Sequence, residues 1–355
     1  MSVLRSRRSS GKVRPARLTD LAALGELSRS CQSGLGDTRS LGLPVSGPPI
    51  GVFSLFRLPL GAFRPNDLMY VYEDEGHIAG LVRVERESIR DEWTIVELDA
   101  VGMANAGDIR YRLVQQLLRE GSKRAAARIH DACADADDNV ELLMQAGFMR
   151  YGQELVMSRA AGSDLPAPWS EERAAASRIR VVTSLDAVAL SRLYGLATPT
   201  PVSRLEAFRL ADWERQGPHW RVPRSSLTPI LRFADVEGFV QASVDGGRDG
   251  TGLDAFIQVG VAKEDQPHYL KLVARPEADV TELIDFGLGI IAARTSRGGD
   301  HRHEHGVLAP VRTYESPIDR RLEEAGFESI ATVTLLMKET LVRVAEPALV
   351  PAGVR

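Results

Sequence analysis

The sequence predicts an α/β protein of the α+β kind, built as two copies of one unit in tandem. Three observations predict it. The stretch VRPARLTDLAALGEL (Val13–Leu27) is echoed by IRVVTSLDAVALSRL (Ile179–Leu193): Arg14 pairs with Arg180, Asp20 with Asp186, Leu24 with Leu190 and Leu27 with Leu193, every pair 166 positions apart. LLMQAGFMRYGQELVMSR (Leu142–Arg159) is echoed by RLEEAGFESIATVTLLMK (Arg321–Lys338), with Phe148 and Phe327 standing 179 apart. Two matches in the same order mark a duplicated domain, and the 13-residue difference between the offsets is an insertion in the second copy. Between the copies lies a stretch of small and polar residues with Pro166 and Pro168, the composition of a domain boundary. The length of 355 residues agrees with two domains. The expected division is an unstructured start over 1–11, a first domain over 12–160, a linker over 161–177, a second domain over 178–345 and a tail over 346–355.

Each copy reads in the same order. A short strand comes first. Thr19-Asp20, or Ser184-Leu185-Asp186, then caps a helix of apolar spacing. The segment from Gln32 to Asn66 is rich in Gly, Pro and Ser, and a loop of that length inside a domain is functional or disordered. Met69–Glu87 predicts a hairpin turning at Glu75-Gly76, and Thr228–Val244 predicts its counterpart turning at Glu237-Gly238. A further strand follows, Thr94–Gly102 or His268–Pro276, and then an amphipathic helix, Ile109–Arg119 or Val280–Ala293. A strand–helix–strand unit closes each copy. Its helix ends on the glycine of Ala146-Gly147-Phe148 or Ala325-Gly326-Phe327, because glycine accepts the left-handed backbone that terminates a helix.

Composition bounds the function. Hydrophobic residues at 44% and charged residues at 26% fit a globular chain with two cores. A net charge of −4 favours neither nucleic acid nor an anionic membrane as partner. No apolar run approaches the ~18 residues of a membrane span, and the basic, polar start MSVLRSRRSS lacks the apolar core of a secretory signal. Cys31 and Cys133 supply neither a disulfide framework nor a zinc pair, so a cytoplasmic location is expected. The wealth of Ala, Arg and Gly fits a GC-rich bacterial source. The expected assembly is a monomer or homodimer.

The order strand, helix, loop, β-meander, helix, strand, helix, strand, closed twice by Ala-Gly-Phe, resembles the GNAT acyltransferase superfamily in both halves of the chain. The resemblance implies tandem GNAT-like domains, each a mixed, mostly antiparallel twisted sheet flanked by helices. It also implies acetyl-CoA or another acyl-CoA as a substrate, with no metal. In that family the strand before the central helix pairs with the pantetheine arm. The loop after it presents backbone N–H groups to the pyrophosphate at the helix N-terminus. Carried onto this chain, the binding positions are Ala100, Val101, Gly107, Asp108, Ile109 and Arg110. The family's Gln/Arg-x-x-Gly-x-Gly/Ala loop is altered here: the first copy reads Asn105-Ala106-Gly107-Asp108-Ile109-Arg110, and the second, Asp279–Ile284, has no glycine. Leu143 and Leu322 stand where the family's thiolate-protonating Tyr is found.

Several side chains are candidates for chemistry. Glu97 and Asp99, two apart on one strand, share a face; either is a candidate general base toward a small-molecule amine, or part of a salt bridge. Tyr314 is a candidate proton donor and Arg312 a candidate substrate ligand, at the end of the penultimate strand, unless both serve packing between the copies. Glu206, inside the Pro-interrupted LYGLATPTPVSRLEAF, and Trp213, which follows it, are candidates for the acceptor side of a cleft; the bland alternative is a helix break. His301, His303 and His305 alternate as metal ligands on a strand would, although a solvated loop fits the flanking Gly298-Gly299 better. The function expected is an acyl-CoA-dependent N-acyltransferase. The alternative is a catalytically inactive module that binds a ligand or protein between two pseudo-symmetric halves.

Overall fold

The structure, a computed structural model, describes residues 11–32, 67–87, 90–101, 105–134, 138–217, 220, 222–244, 252–263, 266–296 and 305–340. The start 1–10, the long loop 33–66, His301, His303 and the tail therefore lie outside the described residues. His305 is described, with its ring 6.2 Å from that of His268.

The first copy runs β1 (Lys12–Pro15), α1 (Leu21–Gln32), β2 (Asp67–Asp74), β3 (His77–Glu87), β4 (Glu92–Ala100), α2 (Ala106–Lys123), β5 (Arg128–Ala134), α3 (Asn139–Gln145) and β6 (Met149–Arg159). After α4 (Glu171–Ala176), the second copy runs β7 (Ile179–Val181), α5 (Ala187–Ala197), α6 (Thr200–Glu206), α7 (Leu210–Glu214), β8 (Phe233–Ala242), β9 (Leu253–Ala262), β10 (His268–Ala274), α8 (Thr281–Ser296), β11 (Val307–Arg312), α9 (Ser316–Glu324) and β12 (Glu328–Glu339). No helix among the described residues is long and apolar enough to cross a membrane.

The repeated residues repeat their chemistry. Asp20 accepts the backbone N–H of Arg17 at 2.7 Å and both terminal nitrogens of Arg14, at 2.7 and 3.0 Å. Asp186 does the same with Thr183 and Arg180 at 2.6–2.8 Å. The two pairs tie the first strand of each copy to the entry of its first helix. Hydrogen bonds from Arg180, working against burial, hold Asp186 at a pKa of about 2. Gly147 and Gly326 take φ of 89° and 82° just past α3 and α9, and Phe148 and Phe327 follow them into the core. The turn between β2 and β3 is made by Glu75 and Gly76, at φ 49° and 84°, as hairpin twist requires.

The second hairpin departs from expectation. Glu237-Gly238 is no turn; β8 runs straight through it, and β8 pairs with β9 across a connection that follows Ala242. Gly238 is there for a different reason. A Cβ at this position would meet the Trp220 ring at 2.3 Å, so glycine admits the indole onto the strand.

All twelve strands join one sheet in the order β1-β2-β3-β4-β5-β12-β6-β11-β10-β9-β8-β7. The last strands are exchanged. β12 lies between β5 and β6, and β6 pairs on its far side with β11. Near the centre, Glu154 of β6 stands opposite Val333 of β12. Packing follows the exchange. Leu336 of β12 joins the core under α2 and α3, while Met157 of β6 joins the core under α8 and α9. These helices cover one face of the sheet. The other face carries α1, α5 and α7, with Leu227, Ile230 and Leu231 lying over its middle.

Candidate functional site

In each copy the two central parallel strands part soon after they meet. β4 and β5 are in register only at Glu92↔Arg128, Trp93↔Ile129 and Thr94↔His130, although both strands run on. β10 and β11 are in register only at His268↔Val307 and Tyr269↔Leu308. Beyond those pairs the backbone edges diverge and a wedge opens, whose mouth lies at the N-terminus of α2 or α8. A register shift in β4, where Arg83 faces Glu97 and Val84 faces Ile95, bulges the strand at Val96 just past the point of divergence.

The two wedges are furnished differently. At the first, Asn105 precedes α2 without any side-chain capping bond, so the first helical N–H groups keep no partner from the helix. Gly107, Asp108 and Arg110 line a cleft of about 630 Å³ together with Tyr111, Asp138 and Glu141 of the neighbouring turn and helix. A Cβ on Gly107 would meet nothing within 4 Å. Ile109 packs inward, and Arg110 donates to Asn139 Oδ1. Asp108 is paired with Arg112 at 2.8 Å. Ala100 is buried against α2, and the Val101 N–H donates to Ala79 O at 3.0 Å.

At the second wedge the chain fills its own features. Lys271, 1% exposed on β10, reaches across to β11 and donates to Pro310 O at 3.2 Å while pairing with Glu315 at 2.8 Å. The N-terminus of α8 is taken by Asp279, whose Oδ1 accepts the N–H and hydroxyl of Thr281 at 3.1 and 2.6 Å. These bonds hold the Asp279 carboxyl below its ordinary pKa, so an anion already sits where a ligand's pyrophosphate would go.

The candidate residues separate into two groups. Glu97 and Asp99 share the face of β4 away from α2. Glu97 is paired with Arg83 at 3.0 Å, and Asp99 is buried. Glu206, Arg312 and Tyr314 come together elsewhere, over the middle of the sheet. Glu206 and Arg312 bind each other at 2.8 Å. Arg312 also binds Glu154 at 3.1 Å and Arg224 O at 2.7 Å, and Tyr194 donates its hydroxyl to Glu206. Burial, above all, raises the Tyr314 phenol far above its usual pKa. Trp213 is core, its ring tilted against Tyr194 and edge-to-face with Phe208.

This cluster continues into residues that the sequence did not single out. Glu92, 2% exposed, is met by Arg90 at 3.0 Å, Arg128 at 3.2 Å, His130 at 3.4 Å and Arg224. Arg90 also reaches Asp212 at 3.1 Å and the backbone of Glu206. Burial opposes ionisation of Glu92, but His130, Arg224 and Arg90 outweigh it and hold the carboxyl below the usual range. Burial and then Arg224 push the His130 imidazole down to about 4, so it is neutral at pH 7. A cleft of about 450 Å³ opens beside Arg90, Glu92, Arg128 and Arg209. His130 and Glu154 each interrupt a largely apolar strand (RIHDACA, GQELVMS), and that interruption is the signal that could have marked them; Glu92, at the start of its strand, carries no such signal.

A sheet parted between two parallel strands, with a helix N-terminus at the mouth of the wedge, is the fold of the GNAT N-acetyltransferases, and this chain carries it twice. A GCN5-related N-acetyltransferase from Sphaerobacter thermophilus superposes with a TM-score of 0.51 and 15% identity, over 93% of this chain and 96% of its own. A tandem GNAT protein from the clavulanic acid biosynthesis pathway superposes with a TM-score of 0.52 and 13% identity, over 94% of this chain and 99% of its own. The glucosamine N-acetyltransferase region of a fungal multi-domain β-N-acetylglucosaminidase gives a TM-score of 0.52 and 10% identity, over 93% of this chain and 38% of that one. At these identities the likeness is one of fold. No protein-family model matches the chain, and no curated protein matches it in sequence.

Proposed function

We propose that the chain is an acyl-CoA-dependent N-acyltransferase that holds one acyl-CoA, acetyl-CoA in the simplest case, in its first copy and acylates the amine of a small molecule. The observation that carries this reading is the contrast between the two wedges. The first opens to an uncapped helix N-terminus and a cleft beside Gly107, while the second is closed by Lys271 and Asp279. In the first copy the pyrophosphate would take the first N–H groups of α2 with Arg110 at hand. A pantetheine arm would lie along the edge of β4 that parts from β5 beyond Thr94. Glu97 and Asp99 face the side from which an amine would approach, where a carboxylate removes its proton.

Calorimetry with acetyl-CoA tests it. The expected result is one site per chain, lost in Gly107→Trp and kept in Asp279→Ala. Because Gly107 faces open space, the indole fills the cleft without disturbing the fold. A second reading, a GNAT-fold binding module without chemistry, is favoured by the acidic lining of the same cleft, Asp108, Asp138 and Glu141. Absence of both heat and thermal shift at millimolar acetyl-CoA would decide for that module.

A further inference from the structure

The point at which β4 and β5 part is not furnished by the first copy alone. Thr94 is the last residue of β4 in register with β5. Its side chain lies on the face away from α2, since its neighbours Trp93 and Ile95 pack in the core beneath that helix. Onto this face the second copy lays Arg224. One terminal nitrogen of Arg224 lies 3.5 Å from Thr94 Oγ1, and the other binds Glu92 Oε2 at 2.5 Å. The backbone carbonyl of Arg224 is held by Arg312 at 2.7 Å, so the residue is fixed at both ends.

Arg224 shares the neutralisation of Glu92 with two other arginines. Glu92 is already matched by Arg90 at 3.0 Å and Arg128 at 3.2 Å. A second carboxylate, Glu87, stands 3.6 Å from Arg224, beyond hydrogen-bond range. The Nε of Arg224 is buried and has no hydrogen-bond partner among the described residues. A cationic N–H buried without an acceptor is costly, and such groups commonly await a ligand or water. His130, the register partner of Thr94, is buried with its Nε2 3.4 Å from Glu92.

We propose that Arg224, supplied by the second copy, is a catalytic residue of the first: its Nε–H receives the thioester carbonyl oxygen at the apex of the wedge and stabilises the charge that forms there. This rests on the acyltransferase reading. The amine nitrogen forms a bond to the thioester carbon as the carbonyl π pair moves onto oxygen. The resulting oxyanion accepts the Arg224 hydrogen bond. Its lone pair then re-forms the carbonyl as the C–S bond breaks, and the thiolate leaves with the proton the amine has lost. The guanidinium itself transfers no proton. A fixed donor in a water-poor site acts where the charge develops rather than on the ground state. The site would therefore be composite, with the thioester in one copy and the oxyanion donor from the other.

The test is thiol release from acetyl-CoA with hydroxylamine as the amine, alongside calorimetric affinity for acetyl-CoA. Arg224→Met should lower kcat by about 10²–10³-fold and leave acetyl-CoA affinity within about threefold. Arg224→Lys keeps a cation beside Glu92 but lacks the Nε–H; it should fold like the wild type and lose rate to a similar degree. Should the methionine variant not fold, the lysine variant decides. Turnover of Arg224→Lys within threefold of wild type overturns the proposal. So does a loss of acetyl-CoA affinity in step with the rate, which would mark Arg224 as structural. A wild-type chain that binds no acetyl-CoA sinks the acyltransferase reading instead, and one that binds it without releasing thiol sinks both.

Discussion

Arg312→Met probes the charge cluster between the copies at its most buried point. Arg312 is 2% exposed, and it faces Glu154 at 0% and Glu206 at 1%. Its side chain is the only cation bound to either carboxylate among the described residues, at 3.1 and 2.8 Å. Methionine fills much of the same volume but leaves two carboxylates in the interior. Glu154 keeps the N–H and hydroxyl of Ser226, and Glu206 keeps the hydroxyl of Tyr194, so neither is stripped of hydrogen bonds. Breaking a buried pair by removing one partner costs about 3–5 kcal/mol. Against a typical total of about 5–15 kcal/mol, that is a large share. Urea unfolding followed by circular dichroism at pH 7 should show it as a lower midpoint. The deficit should shrink at pH 5, because carboxyls buried without a cation take up protons more readily than in the unfolded chain. Arg312→Met combined with Glu154→Gln and Glu206→Gln should recover at least half of the loss, since the amides hydrogen-bond without charge. A single variant within 1 kcal/mol of wild type, or a triple variant no better than the single, would refute the reasoning.

Two further outcomes follow from particular contacts. His130 has a folded pKa of about 4 against about 6.5 when unfolded, so the unfolded chain binds the extra proton first as pH falls. Stability should therefore drop by up to about 3 kcal/mol between pH 6.5 and 4 from this group alone; His130→Leu should flatten that part of the urea-midpoint profile, and an unchanged slope would argue against a buried neutral imidazole. Gly238→Ala drives a methyl into the Trp220 ring, 2.3 Å away, and should cost about 1–3 kcal/mol, read as a lower Tm; a Tm equal to wild type would mean the indole has room to move.

Much of the fold was legible because it is written in local chemistry that occurs twice. Arg14 with Asp20, and Arg180 with Asp186, form the same short-range ion pair, so the spacing survives in both copies. Gly147 and Gly326 are required by left-handed backbone. Local reading failed at Glu237-Gly238, where the dipeptide looks like a turn but the glycine answers to Trp220, remote in sequence. At the centre of the molecule Glu206 and Arg312, candidates for substrate contact with packing between the copies as the alternative for Arg312, bind each other across 106 positions. The bond of Lys271 across the wedge depends on where β11 lies. Pairing between distant segments leaves no period in a sequence. The strand exchange at β6 and β12 left no trace for the same reason.

That exchange ties the halves together more closely than a linker does. Severed within 161–177, the leading fragment would carry β5 with an open edge where β12 belongs, and the trailing one would carry β11 with an open edge where β6 belongs. During synthesis the leading half must wait: its sheet is finished only when residues 328–339 leave the ribosome and slide in beside β5. Until then β5 and β6 stand as unfinished margins, open to the wrong strand. Duplication thus yielded an interlocked pair in which neither half matures before the other.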